Sequence, residues 1–261
     1  MNSEFHRKNI FAIYRRLGIR PGDVVFIHAR LFTFGQLADD KDEFVRIFLD
    51  PLMRVVDFPR GTIVVITYTT RYSSFGEPYK HEKTPSEAGI LSEYVRTMKG
   101  AVRSFHPLGS VAAIGKDKHF ICEGISRSQF GWNSVYHRMH ILHGKCLYLG
   151  ITLGQTCTFL HYVEHFYGVS YCYHKAFFHP AYRRGKLQRG PFLAFLRNRK
   201  SEPYDFSKFE RRMRGKALLK EALYANGPIQ VVAFDDCFTE GMKVLSKNPC
   251  YFIREPFYAT E

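Results

Sequence analysis

No apolar run in this 261-residue chain approaches the roughly 20 residues needed to cross a bilayer. The stretch from Phe5 to Leu17 is short and broken by Arg7, Lys8, Arg15 and Arg16. No secretory signal is expected, and a cytoplasmic protein is the default expectation. The six cysteines, Cys122, Cys146, Cys157, Cys172, Cys237 and Cys250, form no CxxC pair and no zinc-ligand spacing, so free, mostly buried thiols in a reducing compartment are expected. No GxGxxG follows the first strand and no GxxxxGK[ST] loop occurs, which argues against dinucleotide binding and P-loop hydrolysis. The absence of GxSxG argues against an α/β-hydrolase. There is no repeat, no low-complexity tract and no evident linker. Acids are also scarce, 24 against 38 Lys and Arg, for a net charge of +14.

That excess is concentrated. Between Arg183 and Lys220 stand thirteen Lys/Arg and three acids, Glu202, Asp205 and Glu210. Such a field suits an anionic partner, whether nucleic acid, acidic lipid or a phosphorylated small molecule; a solvated face without a ligand is the plain alternative.

Hydrophobic periodicity predicts helices over 4–17, 40–56 and 158–167. Short apolar runs predict strands over 24–28, 62–67, 111–114, 145–150 and 229–234. Residues 70–84 read as a loop. Thr84-Pro85-Ser86-Glu87 reads as a capping box opening a helix that ends near Met98. Asp235 or Asp236 is expected to cap a last helix to about Leu245. Strands and helices alternate, but connections such as 67–84 and 115–145 are not regular crossovers. The expected fold class is therefore α/β, a layered domain with a central mixed β-sheet flanked by helices. A basic, turn-rich segment, 176–222, is the best candidate for a semi-independent subregion.

Of the twelve histidines, His137, His140 and His143 recur at every third position, and His161 and His165 at i, i+4. The second pair lies in His-Tyr-Val-Glu-His rather than HExxH, so no metal site is expected from either group. His161 and Glu164, at i, i+3, share a helix face. A carboxylate there can hold one imidazole tautomer and stabilise the imidazolium, although the spacing alone equally fits a structural pair.

The surrounding sequence gives that pair a context. Residues 84–115 read TPSEAGILSEYVRTMKGAVRSFHPLGSVAAIG, and this stretch resembles the signature of the antibiotic N-acetyltransferase family, whose members include the aminoglycoside 3-N-acetyltransferases. The matching positions include Gly89, Leu91, Gly100, Arg103, Ser104, His106, Pro107, Ser110, Val111 and Gly115. Four further blocks resemble the family in order: Gly22–Ala29 with Gly35 beyond it, Gly61–Val64, Phe130–Ser134 and Leu160–Glu164. In the fourth of the five, Val135 stands where the family has proline. The resemblance implies one acyltransferase domain over 1–261, with acetyl-CoA or another acyl-CoA as co-substrate. It implies that His161 and Glu164 belong to the catalytic group, with His161 as general base. It also implies that the His28–Gly35 loop, including Thr33, and the Arg103–Val111 segment, with Ser104, His106 and Ser110, line the CoA channel. Arg103 and Ser104 or Ser110 are candidate CoA or oxyanion contacts.

One feature departs from that family. An aminoglycoside is a polycation and needs an acidic pocket, yet few acids follow Glu164. The expected acceptor is accordingly an anionic amino sugar carried on a nucleotide diphosphate, its phosphates held by Arg and Lys of 183–220, with Tyr182, Tyr204 and Phe206 as stacking candidates. An aminoglycoside 3-N-acetyltransferase is the alternative. A non-enzymatic nucleic-acid-binding module would explain the charge but not five ordered blocks. Neither the acyl group nor the oligomeric state, a dimer included, can be read from the residues.

Overall fold

The computed structural model describes residues 3–254. In chain order the strands are β1 (Val24–Ala29), β2 (Thr62–Ile66), β3 (Tyr79–Lys80), β4 (Val102–Arg103), β5 (Val111–Gly115), β6 (Lys145–Leu149), β7 (Cys172–Phe177), β8 (Ala181–Arg183), β9 (Lys186–Leu187), β10 (Phe192–Arg197), β11 (Lys220–Tyr224) and β12 (Gly227–Ala233). The helices are α1 (Ser3–Arg16), α2 (Lys41–Val55), α3 (Arg71–Phe75), α4 (Ile90–Thr97), α5 (Lys118–Cys122), α6 (Val135–Ile141), α7 (Thr158–Tyr167), α8 (Ser207–Gly215) and α9 (Phe234–Leu245). A 3-10 turn, Leu31–Phe34, follows β1.

The main sheet runs β11-β12-β6-β1-β2-β5-β4. β1 lies parallel to β2 and β6, and the outer pairings are antiparallel. This is the mixed, helix-flanked sheet that the sequence predicts. Its central strands are buried on both faces, which explains why they read as unbroken apolar runs. Alternation along β1 and β2 divides the core by face. Phe26, Val64 and Tyr148 join Phe159, Leu160 and Phe234 on one side. Val25, Ile27, Ile63, Val65 and Leu147 meet Ile10, Ile47, Phe48 and Leu52 on the other.

Several boundaries differ from expectation, each for a local reason. The Thr84–Glu87 capping box does not form. The Glu87 carboxylate instead accepts from the Thr69 and Thr70 hydroxyls (2.6 Å each) and the Thr70 N–H (2.9 Å), while Thr84 Oγ1 accepts from Lys80 N (2.8 Å). With both capping groups engaged by the preceding loop, α4 starts at Ile90 after Gly89, whose φ of 103° admits glycine readily. The stretch 70–84 is not all loop, since it holds α3 and β3. α9 begins at Phe234 from Ala233, with Asp235 and Asp236 inside its first turn rather than capping it; carboxylates there favour the positive end of the helix dipole. Gly227 and Pro228 belong to β12. The 115–145 connection holds α5 and α6, and 176–222 is richer in regular structure than its composition suggests, with β8, β9, β10, α8 and β11.

Two small sheets lie beside the main one. β7 and β10 form an antiparallel ribbon, and β3, β8 and β9 form a three-stranded sheet. Tyr72, Tyr79, Phe177 and Phe192 form a third core cluster at this end of the molecule.

Candidate active site

Helix α7 carries the first half of the site. Its backbone ends at Gly168 (φ 81°), whose N–H bonds back to the Glu164 carbonyl at 2.9 Å. One turn earlier, His161 Nδ1 lies 2.7 Å from Glu164 Oε2. An ionised carboxylate only accepts, so Nδ1 is the protonated ring nitrogen and Nε2 is left as acceptor. Glu164 is fully buried, whereas the His161 side chain keeps 23% of its surface. The other carboxylate oxygen, Oε1, accepts from the Tyr171 hydroxyl, so both oxygens of a buried charge are satisfied. Burial and the Glu164 charge push the Tyr171 phenol far above its ordinary range, which keeps it a donor.

His161 opens onto a cavity of about 660 Å³. Its ring packs against Tyr204 (4.6 Å between centroids), Phe206 (5.7 Å) and Phe130 (5.8 Å). One wall is hydroxylic, with Thr69, Thr70, Ser73 and Ser74; Gln129 stands at another edge. The β7/β10 ribbon contributes Tyr173, Lys175, Phe195 and Arg197. No carboxylate lines this cavity among the described residues.

A second, narrower chamber of about 160 Å³ shares Ile66, Tyr68 and Thr158 with the first. His28 lines it, stacked on Tyr148 at 5.3 Å and 8°. Burial, with a smaller contribution from nearby His161, pulls the His28 pKa down to about 3, so its ring is neutral. Its Nε2 and the Tyr148 hydroxyl are buried without a hydrogen-bond partner. Such groups are rare unless a ligand or water completes them.

Of the Arg103–Val111 segment, Leu108 lines the main cavity, whereas Arg103, Ser104, His106, Ser110 and Val111 line neither. Arg103 is buried and donates to the carbonyls of Thr67, His81 (3.1 Å) and Thr84 (2.6 Å) and to the Thr67 hydroxyl (3.2 Å). Ser104 Oγ accepts from Val111 N (2.9 Å). Ser110 Oγ donates to the Thr67 carbonyl (2.8 Å). His106 Nδ1 accepts from Gly109 N (3.0 Å) and Nε2 donates to the Arg127 carbonyl (3.0 Å); burial holds its pKa at about 4. Val111 starts a fully buried strand. Thr33, half-buried in the 3-10 turn, and exposed Gly35 (φ 75°) also lie outside both cavities.

The other histidines are drawn elsewhere. His140 approaches Tyr162 and Asp235, His143 binds Asp235 at 2.8 Å, and His137 packs on Trp132 at 4.1 Å. His165 faces His174 (5.0 Å) and Phe195 (5.3 Å). Among the described residues, no group of three or more His, Cys, Asp or Glu is placed to hold a metal ion.

Three of the basic segment's thirteen cations are paired with acids. Arg212 and Lys216 pair with Glu240 (2.6 and 2.9 Å), and Arg214 pairs with Glu210 and Glu221 (2.6 and 2.7 Å). Glu221 and Glu240 lie beyond the counted stretch, so local sequence exaggerates the field.

Tyr171, Lys175, Gln129 and the Thr69–Ser74 wall were not marked by any sequence pattern. Tyr171 follows the glycine that ends α7, and the signal for Lys175 would have been recognition of the ribbon.

The sequence profile of the aminoglycoside 3-N-acetyltransferase family matches residues 26–246. Aminoglycoside N(3)-acetyltransferase III from a Salmonella species is 27% identical over 177 residues, which is 60% of this chain and 59% of that protein. An enzyme of the same name from Acinetobacter baumannii matches to the same extent. The match thus spans under two thirds of these relatives' length. Among solved structures, AAC-IIIb in binary complex with CoASH superimposes with a TM-score of 0.77 at 20% identity, covering 96% of this chain and 98% of the other. AAC-VIa bound to sisomicin gives 0.77 at 20%, covering 92% and 97%. These two likenesses establish the fold. With most of its length under the family profile, the chain belongs to the aminoglycoside 3-N-acetyltransferase family.

Proposed function

We propose that the chain transfers an acyl group from a CoA thioester, acetyl by family default, to a primary amine of an amino sugar. His161 acts as general base and Glu164 fixes its tautomer. The observation that carries this reading is the doubly held Glu164 carboxylate, which makes Nδ1 the donor and frees Nε2 on a residue lining the cavity. The amine nitrogen attacks the thioester carbonyl carbon as Nε2 takes the amine proton. The C–N bond forms, the C–S bond breaks, and the imidazolium returns the proton to the departing sulfur. Glu164 stabilises the imidazolium in between.

The narrow chamber suits the thioester arm, because the unpartnered His28 Nε2 offers it a polar contact. Thr33 and Gly35, at the outer end of the same segment, are assigned to the distal part of CoA on the resemblance alone. Arg103, Ser104, His106, Ser110 and Val111 serve by fixing the wall between the cavities and the sheet.

The relatives' names make aminoglycosides the first acceptors to assay. The nucleotide-linked acceptor expected from the charge of 183–220 loses support, since Arg212, Arg214 and Lys216 are paired and only Arg197 and Arg199 of that segment's cations line the cavity. The same pairing thins the patch on which a nucleic-acid-binding module would depend.

Thiol release from acetyl-CoA, measured with a panel of amino sugars, tests the reading. His161→Ala is expected to lower kcat by about 10² to 10⁴ while leaving CoA binding intact. Full activity in that variant would remove His161 from the mechanism.

A further inference from the structure

Resting on that reading, we infer that the acceptor taken by this chain carries an anionic oxyacid group, such as a phosphate, beside the reacting amine, and is not a polycation. The juxtaposition that supports it is Lys175, Arg197 and Arg199 on the wall of the cavity that holds His161, with no carboxylate in the lining. A polyamine entering there would meet three like charges and no counter-charge.

None of the three cations pairs with a carboxylate among the described residues. Lys175 Nζ lies over the Phe177 ring at 5.0 Å. The Arg197 guanidinium lies over Tyr204 at 5.5 Å and donates to backbone carbonyls, among them Glu202 at 2.9 Å. Those contacts orient Lys175 and Arg197 but leave their charges uncompensated, and Arg199 is exposed. Glu87 accepts three hydrogen bonds from Thr69 and Thr70 and does not itself line the cavity. The lining therefore combines three cations with the hydroxyls of Thr69, Thr70, Ser73 and Ser74, which complements a sugar bearing one anionic substituent. The phosphates of CoA have the same chemistry, so the test must separate the two sources.

Calorimetric titration of the CoA-loaded protein with glucosamine 6-phosphate, glucosamine and gentamicin does so. The phosphate ester is expected to bind at least about tenfold more tightly than glucosamine, as charge-assisted contacts allow, and more tightly than gentamicin. In the Lys175→Glu/Arg199→Glu variant that order should invert, with CoA affinity unchanged. Tighter binding of gentamicin to the wild-type protein overturns the inference, as does failure of the phosphate ester to bind. Loss of CoA affinity in the variant with the phosphate preference retained also overturns it and assigns the cations to CoA. If instead the preference holds but no amine is acylated, the acyltransferase reading falls and the anion site stands.

Discussion

The Tyr171 hydroxyl and the His161 ring donate to opposite oxygens of one carboxylate, Glu164. The base is thus oriented by a three-residue chain whose far end is a phenol. Tyr171→Phe removes one donor without altering shape. A drop of about tenfold in kcat, with the KM for acetyl-CoA unchanged, is expected for a weakened positioning residue. Steady-state thiol release reads both constants; an unchanged kcat would confine Tyr171 to a structural role.

Glu164→Gln makes a sharper case. An amide can donate to Nδ1, which moves the ring proton to Nε2 and leaves no base toward the cavity. Activity should fall by about 10³ or more, as for a wrong tautomer, although the side-chain volume is conserved. Nitrogen NMR of the His161 ring should show the exchanged tautomer. An active variant with the wild-type tautomer would contradict the arrangement.

Arg103 is a buried cation held by carbonyls and hydroxyls rather than by a carboxylate. Burial, with a smaller contribution from the like charge of Arg96, lowers its pKa from the ordinary guanidinium value. Arg103→Met would leave the Thr67, His81 and Thr84 carbonyls without this donor, and a loss of about 3 kcal/mol is expected. Urea denaturation measures it. CoA affinity at temperatures where the variant is folded should change little, because Arg103 lines neither cavity.

Three buried histidines predict acid sensitivity. His28 is held down to about 3, and His81 and His106 to about 4, in each case chiefly by burial. Each is neutral when folded and takes a proton more readily when unfolded. Stability is therefore complete above the unfolded pKa of about 6.5 and is lost as pH falls from there toward the folded values. Between pH 7 and 5.5 the three together should cost about 4 kcal/mol at most. Denaturation at a series of pH values checks this, and a flat profile across that window would show that the rings are not held neutral.

The main sheet was legible because its central strands are buried on both faces and appear as apolar runs, such as Val24–Ile27 and Ile63–Ile66. The His161–Glu164 pair was legible because both residues sit on one helix at fixed spacing. The ribbon was not. β7, Cys172–Phe177, is mostly exposed and mixes His and Lys with aromatics, and its partner lies some 20 residues on with β8 and β9 between. Lys175 consequently meets the cavity through a pairing that no local pattern announces. Tyr171 was missed because its partner lies across the Gly168 turn. Thr84–Glu87 misled for the opposite reason. Its residues suit a helix start, but the neighbouring Thr69–Thr70 loop claims the carboxylate first.

The β7/β10 ribbon pairs with no strand of the main sheet. It is hydrogen-bonded to the 127–129 stretch, through Gln129 N to the Leu193 carbonyl (2.9 Å) and Leu193 N to the Arg127 carbonyl (2.8 Å), and packs on α7 through His174 and Phe195 against His165. The proton-transfer group and the ribbon's part of the cavity lining thus stand on different secondary-structure elements. Substitutions on the ribbon can exchange one clientele for another while the His161–Glu164–Tyr171 chain stays intact, so the fold behaves as a fixed chemical engine with an interchangeable front.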